Sequence, residues 1–464
     1  KRNKFDGPAG STRQVEEFCM AQSTSQTGGF PSLDEGTPLQ QPFNSEYNEG
    51  GPSITADNSF IVFTICKRDD RTGEQFCDLY YSNFSFGRWG EIQRFPEGIN
   101  SEQYWESQPS ISPNGDVLYF TSDRPGGIGG LDIYRAHRLQ NGEWSAPENL
   151  GPAVNTKKNE KSPFIHPDSE SLYFASDGHP GMGGYDLFKI KAVRSDEEWG
   201  KAENLGYPIN TKKDEIGLMV TMDGKQAYFS TNKINVANGW DIYYFDLYED
   251  VRPEEVVLVK GQLNTSDVNS EEKPNVVLKN FKTGEETILN INEEESSFTA
   301  VVKKKEAVDI VLKVEAKNAA FSASPLRLNE DVGQELSEVE VELSYGEMEA
   351  GASYPIPHIL FETASDRLDA QSELLIAEFS EFLAATPSLR VEIQGHTDNV
   401  GDAGANLDLS QRRARRVAET IKSYGIDARR ISSRGYGETK PVASNETEAG
   451  QAQNRRTVFV VKSL

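Results

Sequence analysis

The chain has 464 residues, enough for more than one domain at roughly 100–200 residues each. It carries 48 Lys and Arg against 73 Asp and Glu, a net charge of −25, which argues against a nucleic-acid or anionic-membrane binder. Apolar residues make up only 36%, but 10% aromatics and 39 glycines fit a β-rich, turn-rich protein better than a disordered one. No stretch approaches the ~18 apolar residues of a membrane span. The chain starts at Lys1 with neither Met nor signal peptide, which reads as a mature or trimmed product. The charge is uneven: net −14 over residues 1–250, −10 over 251–350 and −1 over 351–464. Three regimes point to three units.

At the N-terminus, Val15, Phe18, Cys19 and Gln22 follow Ser11-Thr12 at helical spacing. This predicts one short helix within an N-terminal segment, residues 1–35. Cys66 and Cys77 flank the polar stretch KRDDRTGEQF. If that stretch is a hairpin, the thiols face each other and either form a disulfide or stand as two separate small residues.

Residues 36–252 contain a fixed-period repeat. Asp78-Leu79-Tyr80, Asp132-Ile133-Tyr134, Asp186-Leu187-Phe188 and Asp241-Ile242-Tyr243 recur at steps of 54, 54 and 55, and Trp89, Trp144 and Trp199 at steps of 55. Asn-Ser or Asn-Thr recurs at 44, 100, 155 and 210, each followed by a Glu: Glu49, Glu106, Glu160 and Glu215. Each unit reads as about four short strands, the content of one propeller blade. Trp and Tyr fill the space between blades, and the Asp before Ile-Tyr takes backbone donors at a strand start. The Gly-rich loops DRPGGIGG and DGHPGMGG lack the Lys-Ser/Thr of a phosphate loop and open no helix, so they read as turns. His137, His166 and His179 lack metal-ligand spacing and read as surface residues. SPNGDVLYFTSDRPGGIGGLDIY resembles the TolB-type, WD-like repeat. That resemblance implies an all-β propeller of about four blades.

Residues 253–348 change character. VVLVKGQL, NVVLKN, ETILNI, SFTAVV, VDIVLKVEA and VEVELS read as strands of a small β-sandwich. The segment from Lys260 to Ile288 resembles a carboxypeptidase-regulatory-like domain, with Gly261, Pro274 and Thr283-Gly284 at the usual turns. No His-Glu-x-x-His motif is present, and nothing here looks catalytic.

Residues 349–464 read as a two-layer α/β domain, in the order β-α-β-α-β-β. The strands fall at Ile359–Phe361, Arg390–Gln394, Ile431–Arg434 and Thr457–Val461, and the helices at Ser372–Ala385 and Asn406–Tyr424. Asp398 ends a strand, and Arg413 lies 15 residues on in the next helix. A carboxylate and a planar guanidinium at that spacing either close the loop as a salt bridge or receive a ligand with one ammonium and one carboxylate. Asn406 reads as the cap of that helix, whose free N–H groups favour an anion. GHTDNVGDAGANLDLSQRRARRVAETI and the later NRR resemble the OmpA-like C-terminal family. That resemblance implies non-covalent peptidoglycan binding through diaminopimelate. It assigns Asp398 to the ammonium, Arg413 and Asn406 to the carboxylate, and further contacts to Arg455 and to Glu362, where the family usually has Asp. His396 reads as a loop-shaping hydrogen-bonder, with no nucleophile beside it.

The three-part order resembles PorE-like components of the type IX secretion system of Bacteroidetes. It implies a periplasmic, outer-membrane-associated scaffold without enzymatic activity or cofactor. Peptidoglycan and protein partners of the propeller are the expected ligands, with no nucleic acid. The alternative is an OmpA-family wall binder whose propeller holds a soluble glycan or peptide, or a hydrolase site.

Overall fold

The computed structural model describes residues 2–5, 12–15, 18–21, 23–24, 32–33, 36–68, 75–194, 198–232, 239–265, 273–328, 338–362 and 365–464. It divides into two compact units, Lys1–Val257 and Leu258–Leu464.

Among the described residues the first unit holds, after three two-stranded pairings near its N-terminus, four larger antiparallel sheets in series. The first is β1 (Asn48–Ile54), β2 (Phe60–Arg68) and β3 (Gln75–Ser85); the second is β4 (Glu106–Ile111), β5 (Val117–Ser122) and β6 (Asp132–His137). The third is β7 (Glu160–Ile165), β8 (Ser171–Ser176) and β9 (Asp186–Arg194); the fourth is β10 (Glu215–Val220), β11 (Gln226–Thr231) and β12 (Asp241–Asp246). Short outer strands Gln93–Arg94, Glu148–Asn149 and Glu203–Asn204 add to β3, β6 and β9. The hairpin turns are Asx- and Ser/Thr-turns. In the second sheet the Ser112 hydroxyl accepts from the N–H of Val117 at 2.9 Å, and Gly115 takes φ 80°.

The recurrent marks have structural work. Asn100, Asn155 and Asn210 are buried, and each grips the backbone of the preceding sheet with both ends of its carboxamide. Their Oδ1 atoms accept from the N–H of Leu79, Ile133 and Leu187, each at 2.8 Å. Their Nδ2 atoms donate to the carbonyls of the same residues, each at 2.9 Å. Glu106, Glu160 and Glu215 are buried beside them and accept from Ser101, Thr156 and Thr211 N–H at 3.0, 2.7 and 2.9 Å. Asp132 and Asp186 take N–H groups of their Gly-rich loops. A Cβ at Gly127 or Gly181 would run into these carboxylates, which accounts for the glycines.

Apolar cores lie between successive sheets. Val62 and Leu79 meet Leu118 and Phe120; Tyr119 and Ile133 meet Phe174 and Trp199; Tyr173 and Leu187 meet Leu218 and Phe229. Trp144 and Trp199 stand edge-on to Phe95 and Tyr119. Cys66 and Cys77 pair in register across β2 and β3 and are joined by a disulfide; residues 69–74 of the expected hairpin lie outside the described residues.

Two expectations fail here. The short N-terminal helix is not formed: Thr12–Val15 and Cys19–Met20 are strands, and Gln22 lies outside the described residues. The reason is the repeat itself. Asn44 Oδ1 accepts from Phe18 N–H at 2.6 Å and Asn44 Nδ2 donates to Phe18 O at 3.0 Å, the same grip again. Thr37–Pro38 pairs onto Cys19–Met20 as the outer strands pair elsewhere, and Phe18 packs edge-on against Phe43 and Phe63. Extended backbone is what this seat requires. The second failure is His166, which is fully buried rather than on the surface. Its Nδ1 accepts from Asp168 N–H at 3.1 Å, and its Nε2 lies 3.1 Å from the Thr221 carbonyl on the fourth sheet.

The second unit begins as a sandwich. One sheet orders Ile291–Asn292, β16 (Ser297–Lys303), β13 (Val256–Thr265) and β19 (Glu338–Tyr345), with β13 and β19 parallel. The other orders β15 (Glu286–Leu289), β14 (Asn275–Asn280), β17 (Ile310–Glu315) and β18 (Ala323–Pro325). Val259, Leu263, Phe298, Leu312 and Leu343 form the core between them.

The rest is a four-stranded sheet, ordered β20 (Ser353–Pro355), β23 (Thr457–Ser463), β21 (Arg390–Gly395) and β22 (Ile431–Gly435). It is joined by α1 (Ala370–Ala385), α2 (Ala403–Ser423) and α3 (Glu448–Asn454). The first strand is Ser353–Pro355, not Ile359–Phe361. Pro355 and Pro357 withhold ladder donors, His358 takes φ 62°, and Phe361 forms only an isolated bridge with Leu368. The α3 helix was not expected.

Sandwich and α/β sheet share one core. Val311, Phe321 and Ala323 lie in the same cluster as Leu375, Phe379 and Phe459, with Phe321 and Phe379 rings 4.9 Å apart. Beside it Glu378 is buried and paired at 3.0 Å with both Lys279 and Lys313. Burial works against the Lys313 charge, but Glu315, Glu286 and Glu378 outweigh it and raise its pKa.

Two stability outcomes follow from these contacts. Asn155→Ala leaves two buried backbone groups of Ile133 without their partner and is expected to cost about 2–4 kcal/mol in urea unfolding of the first unit. Glu378→Leu removes the buried carboxylate that Lys279 and Lys313 share, leaving Lys279 to Glu381 and Glu286 and Lys313 to Glu286 and Glu315, and should cost about 2–4 kcal/mol in the second, whereas Glu286→Gln at a more exposed pair costs about 1 kcal/mol or less. Equal losses for the last two would discount the burial of Glu378.

Candidate functional site

The site lies in the loop after β21 and the helix that follows. Its approach is set by two glycines. A Cβ at Gly395 would strike the Ser410 carbonyl, and one at Gly435 the Gln411 amide, so both strands lie close under α2. The loop leaves β21 through His396 and Thr397, whose N–H groups donate to the carbonyls of Arg456 and Gly437 at 3.0 Å each.

Asp398 follows, 8% exposed. Its Oδ1 accepts from Val400 N–H at 3.1 Å, and its Oδ2 accepts from Arg455 Nη1 at 2.6 Å. Arg455 is the C-cap residue of α3, with its side chain 46% exposed. Asp398 and Arg455 are thus brought together directly.

Asn406 is not the cap of α2. Asp402 is, accepting from Ala405 N–H at 2.9 Å. Asn406 sits in the first turn, buried, and its Nδ2 reaches the carbonyls of Asp398 and Val400 at 3.4 and 3.2 Å and Glu438 Oε2 at 2.9 Å. It holds the loop that carries Asp398. Glu438 was not singled out in the sequence; it stands between Gly437, which the loop backbone meets, and the exposed Thr439.

Arg413 lies mid-helix in α2 and is half-buried. Its Nε donates to Ser365 O at 3.0 Å, and its guanidinium stands over the Phe361 ring, 4.8 Å from the centroid. Burial pushes its pKa down, helped by Arg412 and opposed by Asp366 and Asp398. Glu362 is one residue from Phe361, but its exposed carboxylate pairs with Arg367 at 3.4 Å. Among the described residues no bond links it to Asp398, Asn406, Arg413 or Arg455. Arg412 and Arg415 face solvent in ion pairs with Asp408 and Glu419.

His396 shapes the loop by stacking, not by hydrogen bonds from its ring. Both ring nitrogens are buried without a partner, and the ring lies 5.5 Å from that of Tyr436 at an interplanar angle of 9°. The arrangement is a carboxylate with the Arg455 guanidinium upon it, while the Arg413 guanidinium is held at the Ser365 carbonyl and the Phe361 ring. Among the described residues no three His, Cys, Asp or Glu are placed to hold a metal.

Residues 360–455 match the OmpA family model, so the chain carries a C-terminal OmpA-family domain. The outer-membrane lipoprotein YfiB of Pseudomonas aeruginosa is 42% identical over 103 residues, which cover 22% of this chain and 61% of that protein. The peptidoglycan-binding protein ArfA of Mycobacterium bovis is 40% identical over 87 residues, covering 19% of this chain and 27% of that one. The chain thus spans less than two thirds of either relative. The crystal structure of the peptidoglycan-associated lipoprotein from Burkholderia pseudomallei is 31% identical, with a TM-score of 0.21, over 24% of this chain and 88% of that one.

The buried imidazole has a pH consequence. Burial, then Arg456 and Lys440, lower the His396 pKa from 6.5 to about 4. Between those values the unfolded chain binds the proton more tightly, so stability is lost as pH falls through that window. The second unit should melt at a lower temperature at about pH 4.5 than at about pH 7, and His396→Phe should flatten that dependence. Identical slopes in the two proteins would remove His396 as its source.

Proposed function

We propose that the chain is a non-enzymatic, outer-membrane-associated periplasmic scaffold that binds peptidoglycan through its C-terminal domain. The observation that carries this is the Asp398 carboxylate, buried at the loop with Arg455 upon it and Arg413 close enough to feel its charge. Diaminopimelate ends in one ammonium beside one carboxylate. In this reading the ammonium takes Asp398 in exchange for Arg455, and the freed guanidinium with Arg413 takes the carboxylate. Asn406 keeps the loop in place, and Glu362 lies on the neighbouring turn as a weaker contact. The similarity to ArfA, a peptidoglycan-binding protein, supports the wall ligand, and that to YfiB, an outer-membrane lipoprotein, the outer membrane.

The remaining assignments belong to the same proposal. Residues 36–252 are read as a four-bladed TolB-type propeller that holds protein partners, preceded by the segment 1–35. Residues 253–348 are a carboxypeptidase-regulatory-like sandwich, and 349–464 the OmpA-like domain. The serial sheets, their buried Asn and Glu marks and the two-sheet sandwich support this division. The order of parts favours a type IX secretion assembly of a Bacteroidetes bacterium.

The test is pulldown on purified peptidoglycan. Asp398→Ala and Arg413→Ala should each weaken binding roughly thirtyfold or more, the counterpart of about 2–5 kcal/mol for removing one charged partner. Arg415→Ala should bind as the parent does. Parent-like binding by the first two variants would end the pocket assignment. Equal binding to lysine-type peptidoglycan, which lacks the second amino-acid centre, would end the diaminopimelate assignment alone.

A further inference from the structure

Among the described residues the repeat leaves one seat open. Leu79, Ile133 and Leu187 occupy the same place in their strands, and Phe18 stands just before the strand Cys19–Met20. Each is gripped at N–H and C=O by the Asn of the following repeat. Each is buried, at 7%, 0%, 0% and 0% exposure. Ile242 is the fifth residue of the series, and it is 75% exposed. Its register is the same. Ser230 pairs with Ile242 as Thr121 pairs with Ile133 and Ala175 with Leu187. The Ile242 N–H and C=O therefore point away from β11, as those of Ile133 and Leu187 point away from their own neighbours.

The outer strand is missing at the same place. Short strands add to the other third strands, at Tyr80–Tyr81, Tyr134–Arg135 and Phe188–Lys189, and to Cys19–Met20. Among the described residues none adds to β12. Trp240 beside it is 48% exposed. An edge strand with outward amides and a bare β-branched side chain is a template for strand addition.

We infer that the β12 edge, centred on Ile242, is a docking surface for a polypeptide partner with the chain's own repeat chemistry. That chemistry is a short outer strand, an Asn-Ser/Thr turn whose carboxamide grips Ile242, and a hairpin led by a buried Glu. The warrant is continuity: the same interface is made at four successive places along the unit, and β12 presents its next half. A glycan or a lipid surface supplies neither the strand nor the paired donor and acceptor on one carboxamide. The inference stands on the sheet array and is independent of wall binding.

The test uses the full chain and a labelled synthetic peptide of residues 201–232, which carries the outer strand, Asn210-Thr211 and the Glu215 hairpin. Fluorescence anisotropy should show saturable binding. Asn210→Ala in the peptide should weaken it about tenfold or more. Ile242→Asp in the chain should abolish it while leaving the melting temperature at the parent value. The peptide variant keeps the test sound if the chain variant folds poorly. No saturable binding, or equal binding by the Asn210→Ala peptide, overturns the inference. Self-association of the chain that Ile242→Asp relieves also overturns it, since a second copy would then be the occupant.

Discussion

Asn100, Asn155 and Asn210 each place one buried carboxamide on the N–H and C=O of a residue in the sheet before. Those two backbone groups face away from their own ladder and would otherwise be buried unpaired. The side chain thus fixes the distance and angle at which one sheet follows another. The apolar cores between sheets can close only once that is set. The buried Glu beside each Asn braces the turn from below. Burial raises the pKa of Glu106 and Glu160 despite the donors around them, so these braces work at a cost in solvation.

The same rule shapes the second unit with charges in place of amides. Glu378 is tolerable in the interior because Lys279 and Lys313 come from two strands of the sandwich to meet it. Arg327 adds a fork onto Asp369, the N-cap of α1, at 2.9 and 3.2 Å. With Phe321 in the common core, sandwich and α/β sheet have one continuous interior. At the candidate site the rule leaves room for exchange. Asp398 is buried, but its partner Arg455 is half in solvent, so one charged group can replace another there at modest cost. Glu378 has no such exit.

Much of this was legible in the chain. The 54–55 residue period marked the sheets, and helical and alternating periodicities placed α1, α2 and most strands of the second unit. The GHTD and NRR runs placed Asp398 and Arg455. What misled were local signals with more than one solution. Val15, Phe18 and Cys19 have helical spacing, yet the seat beneath Asn44 demands extended chain. Ile359–Phe361 is apolar enough for a strand, but the prolines before it and the turn at His358 spend the chain on reversal. Asn406 has a capping side chain, but Asp402 takes the cap and Asn406 turns inward. His166 is polar and isolated in sequence; only the fourth sheet supplies the Thr221 carbonyl that lets it be buried.

By itself the sequence determined the kinds of parts, because period, turn residues and charge are written along one dimension. It determined three charge regimes, the repeat, the sandwich strands and the residue types of the site. The tertiary structure decided pairings between residues far apart in the chain. It put Arg455 rather than Arg413 on Asp398, brought Glu438 to Asn406, merged sandwich and α/β domain around Phe321, and left Ile242 bare. The physical reason is the same throughout. A desolvated donor or charge takes whichever partner the packed backbone brings within about 3 Å, and sequence spacing does not encode that distance.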